Sequence, residues 1–355
     1  MRTLLLAALC CVSALLSAAE PGYPRVTPGV ALQFPRDHGS HPDFRLEWWY
    51  LTGWLTTADH QPLGFQITFF RVRPQPGNAN PSAFAPRQLM IAHAAISDPA
   101  RGRLWSDQRI ARVALQLAGA AERDTEVWLD RWRLWRESQQ YHAQIEAGDF
   151  ALALTLDATQ PPLINGEGGY SRKGPRPESA SHYYSLPQLR VSGSVTRAGR
   201  EQAVTGTAWL DHEWSSEYLE PRAAGWDWVG LNLDDGGALM AFRIRDHEGR
   251  GFWAGGTYRD AAGKVEVLQP EAVQFTPGRR WRSARTGIEY PIEWTLQAGA
   301  QRFELLPLLD DQESDSRRTT GAVYWEGAVS VRRDGRALGR GYLELTGYGA
   351  PLRLP

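Results

Sequence analysis

The sequence contains very little cysteine, which excludes one common way of stabilising an exported protein. Its two cysteines, Cys10 and Cys11, lie where an apolar run follows Arg2 and small residues precede Glu20. This pattern is typical of a secretory leader, and we expect cleavage near Ala19. Since both cysteines leave with the leader, the mature chain has no thiol for a disulfide, and its stability must come from an apolar core.

The leader also predicts where the protein works. Its apolar run is shorter than the ~20 residues of a membrane-spanning helix, so it indicates a periplasmic or secreted protein. Neither cysteine follows a good lipobox, which disfavours a lipid anchor. The charges are nearly balanced, with 39 basic and 40 acidic residues. This balance disfavours nucleic acid as a partner.

Several catalytic motifs are present only in incomplete form. HEWSS at 212–216 lacks the second histidine of a zinc-protease motif, and GYSRKG at 169–174 has a lysine where the serine-hydrolase elbow needs glycine. NGEGGY does not continue as a dinucleotide fingerprint, and the acidic run 310–316 lacks the glycine of a calcium loop. His38 and His41 are close together, but in an arm that we expect to be mobile. The sequence therefore predicts no metal and no cofactor.

Most of the remaining chain consists of short alternating runs separated by turns. Runs such as 63–72, 238–244 and 322–331 have the period of two that is typical of half-buried strands. One stretch, 111–123, has a helix-like pattern, and 157–185 is irregular enough to be a lid or a plug over a barrel end. With 15 tryptophans and 35 glycines, the composition favours an all-β fold with aromatic-lined cores or pockets.

Two segments of the chain resemble each other. WYLTG at 49–53 and WDWVG at 226–230 are each followed by a polar turn and a strand that carries Phe-Arg. The similarity predicts a duplicated β-module. We expect a leader at 1–19, an N-terminal arm at 20–40, a first domain at 41–216, a linker at 217–225 and a second domain at 226–355.

Aromatic and acidic residues occur together at five places, of which DHEWSS at 211–216 is the most prominent. In a strand, His212 and Trp214 would share one face, and Asp211 and Glu213 the other. Carboxylates beside aromatics suit neither solvent nor a dry core, but they suit a partly wet ligand cavity. The alternative is that these clusters are structural ion pairs with the many arginines, or contacts between domains.

Long stretches of the chain resemble the carotenoid 1,2-hydratase / AttH family, often described as lipocalin-like. They include HPDFRLEWWYLTGWL (41–55), GTAWLDHEWSS (206–216), GWDWVGLNLDDGGALMAFRIRD (225–246) and GRGYLELTGY (339–348). The resemblance implies two tandem lipocalin-like antiparallel β-barrels that bind a hydrophobic small molecule. In the hydratases of this family, water adds to an isolated alkene of an acyclic carotenoid without a cofactor.

The resemblance also implies site residues. The His-x-Trp pair of the hydratases falls on His212 and Trp214, whereas their downstream Tyr-x-Asp pair is missing in LNLDDGGALMAF. Asp211, Glu213 or Asp227 could then serve as the acid, because a carboxylic acid in an apolar pocket stays protonated. The candidate ligand-binding residues are Trp48, Trp49, Tyr50, Tyr184, Trp226, Trp228, Tyr324, Glu326, Glu344 and Tyr348.

Three functions remain open at this point. The first is a cofactor-independent hydro-lyase that hydrates or rearranges an isoprenoid or other apolar ligand met at a membrane surface. The second is a carrier, in which DHEWSS only ties the two barrels together. The third, a secreted hydrolase, lacks a visible nucleophile.

Overall fold

The computed structural model describes residues 22–74 and 87–352, so the predicted leader lies outside the described residues. Within these ranges the regular secondary structure is antiparallel β-sheet, apart from two short 3-10 helices, Arg36–His38 and Pro270–Ala272. No helix in the described ranges has the length and apolar character that crossing a bilayer requires.

The first domain is a large antiparallel sheet. Its strands, in chain order, are β1 (Leu46–Thr57), β2 (Pro62–Val72), β3 (Leu89–Asp98), β4 (Arg103–Arg112), β5 (Ala118–Ala120), β6 (Glu126–Leu129), β7 (Trp132–Glu137), β8 (Gln140–Glu146), β9 (Phe150–Asp157), β10 (Leu163–Ile164), β11 (Tyr170–Arg172), β12 (Ala180–Arg197) and β13 (Arg200–Ser215). The order across the sheet is β4-β3-β2-β1-β13-β12-β9-β8-β7-β6-β5. Contacts of β6 with β3 and β4 bring the two ends of the sheet together, so that it curls into a barrel.

The second domain repeats this plan with fewer strands. Its strands are β14 (Ala223–Leu233), β15 (Ala238–Asp246), β16 (Gly251–Arg259), β17 (Val265–Leu268), β18 (Val273–Pro277), β19 (Arg280–Arg282), β20 (Glu289–Pro291), β21 (Trp294–Ala298), β22 (Gln301–Pro307), β23 (Glu313–Ser316), β24 (Ala322–Arg333) and β25 (Arg336–Leu345). The order across the main sheet is β17-β16-β15-β14-β25-β24-β22-β21-β18, and β18 returns to contact β15 and β16.

The two sheets have the same topology. In each, a four-stranded meander (β1–β4 or β14–β17) begins with a strand that also pairs with the last strand of the domain (β13 or β25). The repeated segments WYLTG and WDWVG lie on the equivalent strands β1 and β14. The prediction of an all-β fold with two tandem lipocalin-like antiparallel barrels is confirmed.

Alternation along the strands creates three apolar regions. One face of β1 and β13, with Trp49 and Trp214, points into the core of the first barrel. The opposite face, with Tyr50 and Trp209, packs against Trp228 and other residues of the second domain. The second barrel has its own core. The two barrels therefore meet through the outer faces of their central strands.

Two predictions about irregular segments were wrong. The stretch 111–123 contains the end of β4, a turn and β5, and Leu115 and Gln116 have positive φ angles of 52° and 59°, which a right-handed helix does not allow. The arm that carries His38 and His41 is not loose, since both histidines are buried against the first barrel. The imidazole of His38 is held there by a 2.8 Å hydrogen bond between its Nδ1 and the Tyr184 hydroxyl.

Candidate functional site

A cavity of about 110 Å³ lies between the two barrels. Its walls come from β1, β2, β3, β12 and β13 on one side and from β14, β15, β24 and β25 on the other. Most lining side chains are aromatic or aliphatic. Four carboxylic acids and one amine line the cavity without belonging to a barrel interior: Asp211, Glu213, Glu326, Glu344 and Lys173. Glu47 and Arg71 also border the cavity, but they pair with each other, and Glu47 contacts His212 inside the first barrel. An engineered cavity of about 150 Å³ binds benzene. A cavity of about 110 Å³ therefore has room for the end of an apolar ligand, a group of about five carbons.

The structure divides the predicted site residues into two sets. The first set lines the cavity: Trp48, Tyr50, Asp211, Glu213, Trp226, Trp228, Tyr324, Glu326 and Glu344. The second set faces away from it, into one barrel or the other: Trp49, Tyr184, His212, Trp214, Asp227 and Tyr348. Period two along β1, β13 and β14 produces this division, because neighbouring residues of a strand point to opposite faces.

Glu326 and Glu344 form an acid pair in the wall of the cavity. They stand directly opposite each other on β24 and β25, and no basic side chain of the described residues forms an ion pair with either. Burial raises the pKa of Glu344 to about 7. Burial and then the negative charge of Glu344 raise the pKa of Glu326 well above its usual range. Because two carboxylates this close cannot both ionise readily, the pair holds at least one proton at neutral pH.

Asp211 is a third acid that stays partly protonated. Its carboxylate accepts hydrogen bonds from the Tyr183 hydroxyl at 2.6 Å, the Ser185 hydroxyl at 2.5 Å and Trp209 Nε1 at 2.6 Å. Burial raises its pKa to about 7, and the three donors limit that rise. Trp228 Nε1 donates to the same Tyr183 hydroxyl at 3.0 Å, so this acid is connected to the second domain.

Glu213 differs from the other cavity acids because it has a cationic partner. Lys173 Nζ lies 2.8 Å from Glu213 Oε1 and donates to the Ser171 hydroxyl at 3.0 Å. Both members of the pair are buried, with side chains 1% and 5% exposed. Burial raises the pKa of Glu213 and lowers that of Lys173, and their mutual attraction opposes both shifts.

His212 lies on the other face of β13, inside the first barrel. Its Nε2 is 3.0 Å from Glu47 Oε1, and its Nδ1 is within hydrogen-bond distance of the Asp37 carbonyl and the Tyr184 hydroxyl. It is fully buried, and burial lowers its pKa. Trp49 stacks on it with ring centres 4.6 Å apart. The sequence suggests His212 as the central catalytic group, but here it has no access to the interdomain cavity.

Glu47 is the centre of that interior network. It accepts from Arg71 Nε and His41 Nδ1, each at 2.8 Å, as well as approaching His212. Burial alone would raise its pKa, but the hydrogen bonds from the two histidines and the charge of Arg71 lower it well below the usual range. Potential metal-ligand atoms of His41, Glu47 and His212 lie within 4.8 Å of one another. Since Arg71 already neutralises the carboxylate, the geometry favours a self-contained hydrogen-bond network.

Asp227 is equally well neutralised inside the second barrel. It is fully buried, 2.6 Å from Arg243 Nη2 and 3.1 Å from Arg245 Nε, and it accepts the Tyr348 hydroxyl at 2.8 Å. Asp227 therefore lacks both the access to the cavity and the uncompensated environment that a proton donor needs. Tyr348 leaves the cavity face because Gly347, with φ of 70°, breaks the alternation after β25.

Sequence reasoning missed several lining residues. Tyr183 faces the cavity, and its neighbour Tyr184, which the sequence suggests instead, faces the barrel core. A shift of one residue along a strand reverses the face, and only the pairing of Tyr183 with Glu213 across β12 and β13 settles it. In the sequence, Lys173 stands out only because it replaces the final glycine of a serine-hydrolase motif. His93, which hydrogen-bonds the Tyr324 hydroxyl at 2.8 Å, gave no signal in the sequence.

Two antiparallel barrels with an aromatic, acid-lined cavity between them define a two-domain protein of the lipocalin-like class. The chain belongs to the AttH-like family, which matches it over residues 25–348. No curated protein matches the chain.

Among the solved structures with this fold, two match nearly the whole chain. The crystal structure of a candidate AttH protein from Nitrosomonas europaea is 53% identical, with a TM-score of 0.86 over 92% of this chain and 99% of that one. Kievitone hydratase from Nectria haematococca is 18% identical, with a TM-score of 0.68 over 93% of this chain and 98% of that one. At 18% identity, the second comparison establishes a common fold only.

Proposed function

We propose that this protein binds the unsaturated end of an apolar molecule in the interdomain cavity and adds water to it by cofactor-free acid catalysis. The observation that carries the proposal is the acid pair Glu326–Glu344, two carboxyl groups that stand opposite each other beside aromatic rings without a cationic partner among the described residues. Burial raises the pKa of both. A carboxylic acid held protonated in an apolar site is a suitable general acid.

The rest of the cavity supplies what this chemistry needs. Proton transfer from the acid pair to one alkene carbon leaves a carbocation on the other, and the faces of Trp48, Tyr50 and Trp228 can stabilise it by up to ~2 kcal/mol each when desolvated. Water then attacks the cation and returns a proton to the carboxylate, so the acid is regenerated. No external oxidant or cofactor enters this balance.

Three polar atoms in this region suit the reacting water or a ligand hydroxyl. Tyr50 Oη, Tyr342 Oη and Glu326 Oε1 are buried, and none makes a hydrogen bond of normal geometry to a described residue. The Tyr50 hydroxyl approaches Glu326, and the Tyr342 hydroxyl approaches Ser97. Buried polar atoms are nearly always hydrogen-bonded in native proteins, and water or ligand oxygens would complete these contacts.

The comparisons support a substrate with an isolated alkene. One protein of the same fold is a hydratase of kievitone, and the resemblance to the carotenoid 1,2-hydratases suggests a prenyl or isoprenoid group. A prenyl group has five carbons and fits the cavity of about 110 Å³. We further propose that the leader delivers the protein to the periplasm, where it meets such ligands at a membrane surface.

A carrier is the second candidate, because His212 lies outside the cavity. The resemblance to the hydratases implies a catalytic role for this histidine, and its enclosed position inside the first barrel supports a structural role instead. In a carrier the acids and aromatics of the cavity would bind the ligand without changing it.

The test is extraction of the ligand that co-purifies with the protein from its own periplasm, followed by incubation in heavy-oxygen water. Label in a hydroxylated product supports hydration. A ligand returned unchanged and unlabelled supports a carrier. A processed N-terminus near residue 20 on the same preparation would support export.

A further inference from the structure

Lysine is almost absent from this chain. Its 39 basic residues comprise only two lysines, Lys173 and Lys264, and the rest are arginines. The ion pairs of the first and second barrel interiors use arginine, as Arg71–Glu47 and Arg243–Asp227 show. One of the two lysines is nevertheless placed in the wall of the interdomain cavity.

The position of Lys173 is both enclosed and directed at the ligand space. Its side chain is 1% exposed. Its Nζ lies 4.4 Å from the ring centre of Phe242 and 4.7 Å from that of Tyr183, in addition to its contact with Glu213. The amine therefore has an acid on one side, aromatic rings around it and the cavity beside it.

Lysine can do one thing here that arginine cannot. An ion pair with Glu213 alone could be made by either residue, and Arg is the usual choice for a buried pair. Only the lysine amine becomes an effective nucleophile when burial lowers its pKa, as burial does for Lys173. The raised pKa of Glu213 acts in the same direction, since it favours a neutral amine beside a protonated acid.

We propose that Lys173 captures an apolar aldehyde or ketone in the cavity as a Schiff base, with Glu213 as proton donor and then counterion. The inference rests on the proposed role of the cavity as a ligand site, and it adds a carbonyl group to the class of ligands. It makes no use of the acid pair Glu326–Glu344.

The step is balanced without any further reactant. The Lys173 nitrogen attacks the carbonyl carbon, a C–N bond forms, and the oxygen takes a proton from the nitrogen. Glu213 then gives its proton to the hydroxyl of this carbinolamine, the C–O bond breaks, and the hydroxyl leaves as water. The product is a protonated imine paired with the Glu213 carboxylate. Nothing is oxidised or reduced, and hydrolysis releases the ligand by the reverse path.

The experiment uses 3-methylbut-2-enal as the probe, because it is apolar and has five carbons. The protein is incubated with this aldehyde and cyanoborohydride at pH 7, and the modified amines are mapped by peptide mass spectrometry. Lys264 is the internal control, since it is exposed. At pH 7 roughly one exposed lysine in 2,500 is neutral. We expect labelling of Lys173 to exceed that of Lys264 at least ~10-fold, because the buried amine has the lowered pKa.

The variant Lys173→Arg separates covalent capture from a structural ion pair. It keeps a cation beside Glu213, so we expect it to fold, which urea denaturation followed by tryptophan fluorescence checks. Binding of 3-methylbut-2-en-1-ol to the unchanged protein is measured in parallel by the same fluorescence signal. In this variant the aldehyde should label only Lys264 and the α-amino group. Equal labelling of Lys173 and Lys264 in the unchanged protein would overturn the proposal.

Parallel binding of the alcohol distinguishes the two proposals. If the alcohol binds and the aldehyde is not trapped at Lys173, the Schiff base is excluded and the cavity remains a ligand site. If neither compound binds, the proposed function fails as well.

Discussion

The interior of the first barrel and the interdomain cavity lie on opposite sides of β1 and β13, and they bury carboxylates in different ways. Inside the barrel, Glu47 is surrounded by Arg71, His41 and His212, and its pKa is lowered. In the cavity, Glu326 and Glu344 face each other without a cation, and their pKa values are raised. A buried acid must be neutralised, either by partners or by a proton.

The second barrel also neutralises its buried acid with cationic partners, since Asp227 is paired with Arg243 and Arg245. Each barrel thus keeps a compensated carboxylate inside, and the acids that retain protons lie between the barrels. Removing one partner of a compensated pair destabilises the fold, whereas uncompensated groups are available for chemistry. Substitutions on the two sides should therefore have opposite consequences.

Removing the cation from the compensated side should have the largest effect. Arg71→Met leaves the buried Glu47 carboxylate without its guanidinium partner, and breaking a buried pair in this way costs about 3–5 kcal/mol. We expect the free energy of unfolding, measured by urea denaturation with tryptophan fluorescence, to fall by that amount. The double variant Glu47→Gln/Arg71→Met should lose less than the single one. A single variant within about 1 kcal/mol of the parent would show that the network does not hold the barrel together.

In the interdomain cavity, substitution of an acid that lacks a cationic partner should lower turnover without lowering stability. Glu326→Gln preserves the shape of the protonated acid but cannot donate its proton to carbon. We expect hydration to slow by at least about 10²-fold, the usual contribution of a general acid. The unfolding free energy should be unchanged or higher, because Gln is neutral without the proton that Glu326 must take up on folding. The matched control is Asp227→Asn, which should lose stability because it leaves two arginines unpaired. Full turnover by Glu326→Gln would show that another group in the cavity is the general acid.

The pH dependence of stability should also differ between the two sides. The pKa of Asp211 is raised from about 3.9 in the unfolded chain to about 7 in the folded one. The folded protein therefore binds the extra proton, and this contribution is complete below about pH 4 and lost as the pH rises through about 7. Relative to Asp211→Asn, the unchanged protein should lose up to about 1.4 kcal/mol per pH unit between pH 5 and 7.

The contribution of Glu47 to the unfolding free energy should depend on pH in the opposite direction. Its pKa is lowered in the folded protein, so its contribution is present above about pH 4.3 and lost only as the pH falls below that value. Glu47→Gln should consequently change the slope between pH 5 and 7 only through His41 and His212, because the Glu47 carboxylate favours the charged form of both imidazoles. It should also lower stability throughout. Urea unfolding at pH 5, 6 and 7 tests both variants. Parallel curves for the parent and Asp211→Asn would mean that Asp211 is ionised throughout this range.

The division between the two sides was only half visible in the sequence. Period two correctly separates Asp211 and Glu213 from His212 and Trp214. It does not show which face of a strand meets another domain, because that depends on how two barrels pack. The family resemblance points to the histidine face, and the open space lies on the acid face.

Other parts of the site depend on long-range pairing. Lys173 reaches Glu213 because β11 pairs with β12, which in turn pairs with β13. The acid pair depends on the register of β24 against β25, in which Glu326 falls opposite Glu344. Registers between distant segments are set by the assembled sheet, and a local sequence pattern does not contain them.

The smallest effect we predict concerns a single hydrogen bond to the acid pair. Trp226 Nε1 donates to Glu344 Oε2 at 2.9 Å, and this bond favours the ionised form of Glu344. Trp226→Phe keeps an aromatic ring in the cavity but removes the donor, so the pKa of Glu344 should rise further. A hydrogen bond to a charged group is worth about 1.5 kcal/mol, which corresponds to about one pH unit.

We therefore expect the alkaline limit of hydration, where the acid pair loses its proton, to move up by about one pH unit in Trp226→Phe. The control is Trp253→Phe, because Trp253 Nε1 donates to the Arg172 carbonyl at 3.0 Å and not to an acid. Its pH–rate profile should match that of the unchanged protein. If both variants shift alike, the effect comes from loss of indole packing and not from the bond to Glu344. A shift in Trp226→Phe alone would show that a cavity acid responds to one donor, unlike Glu47, which has several.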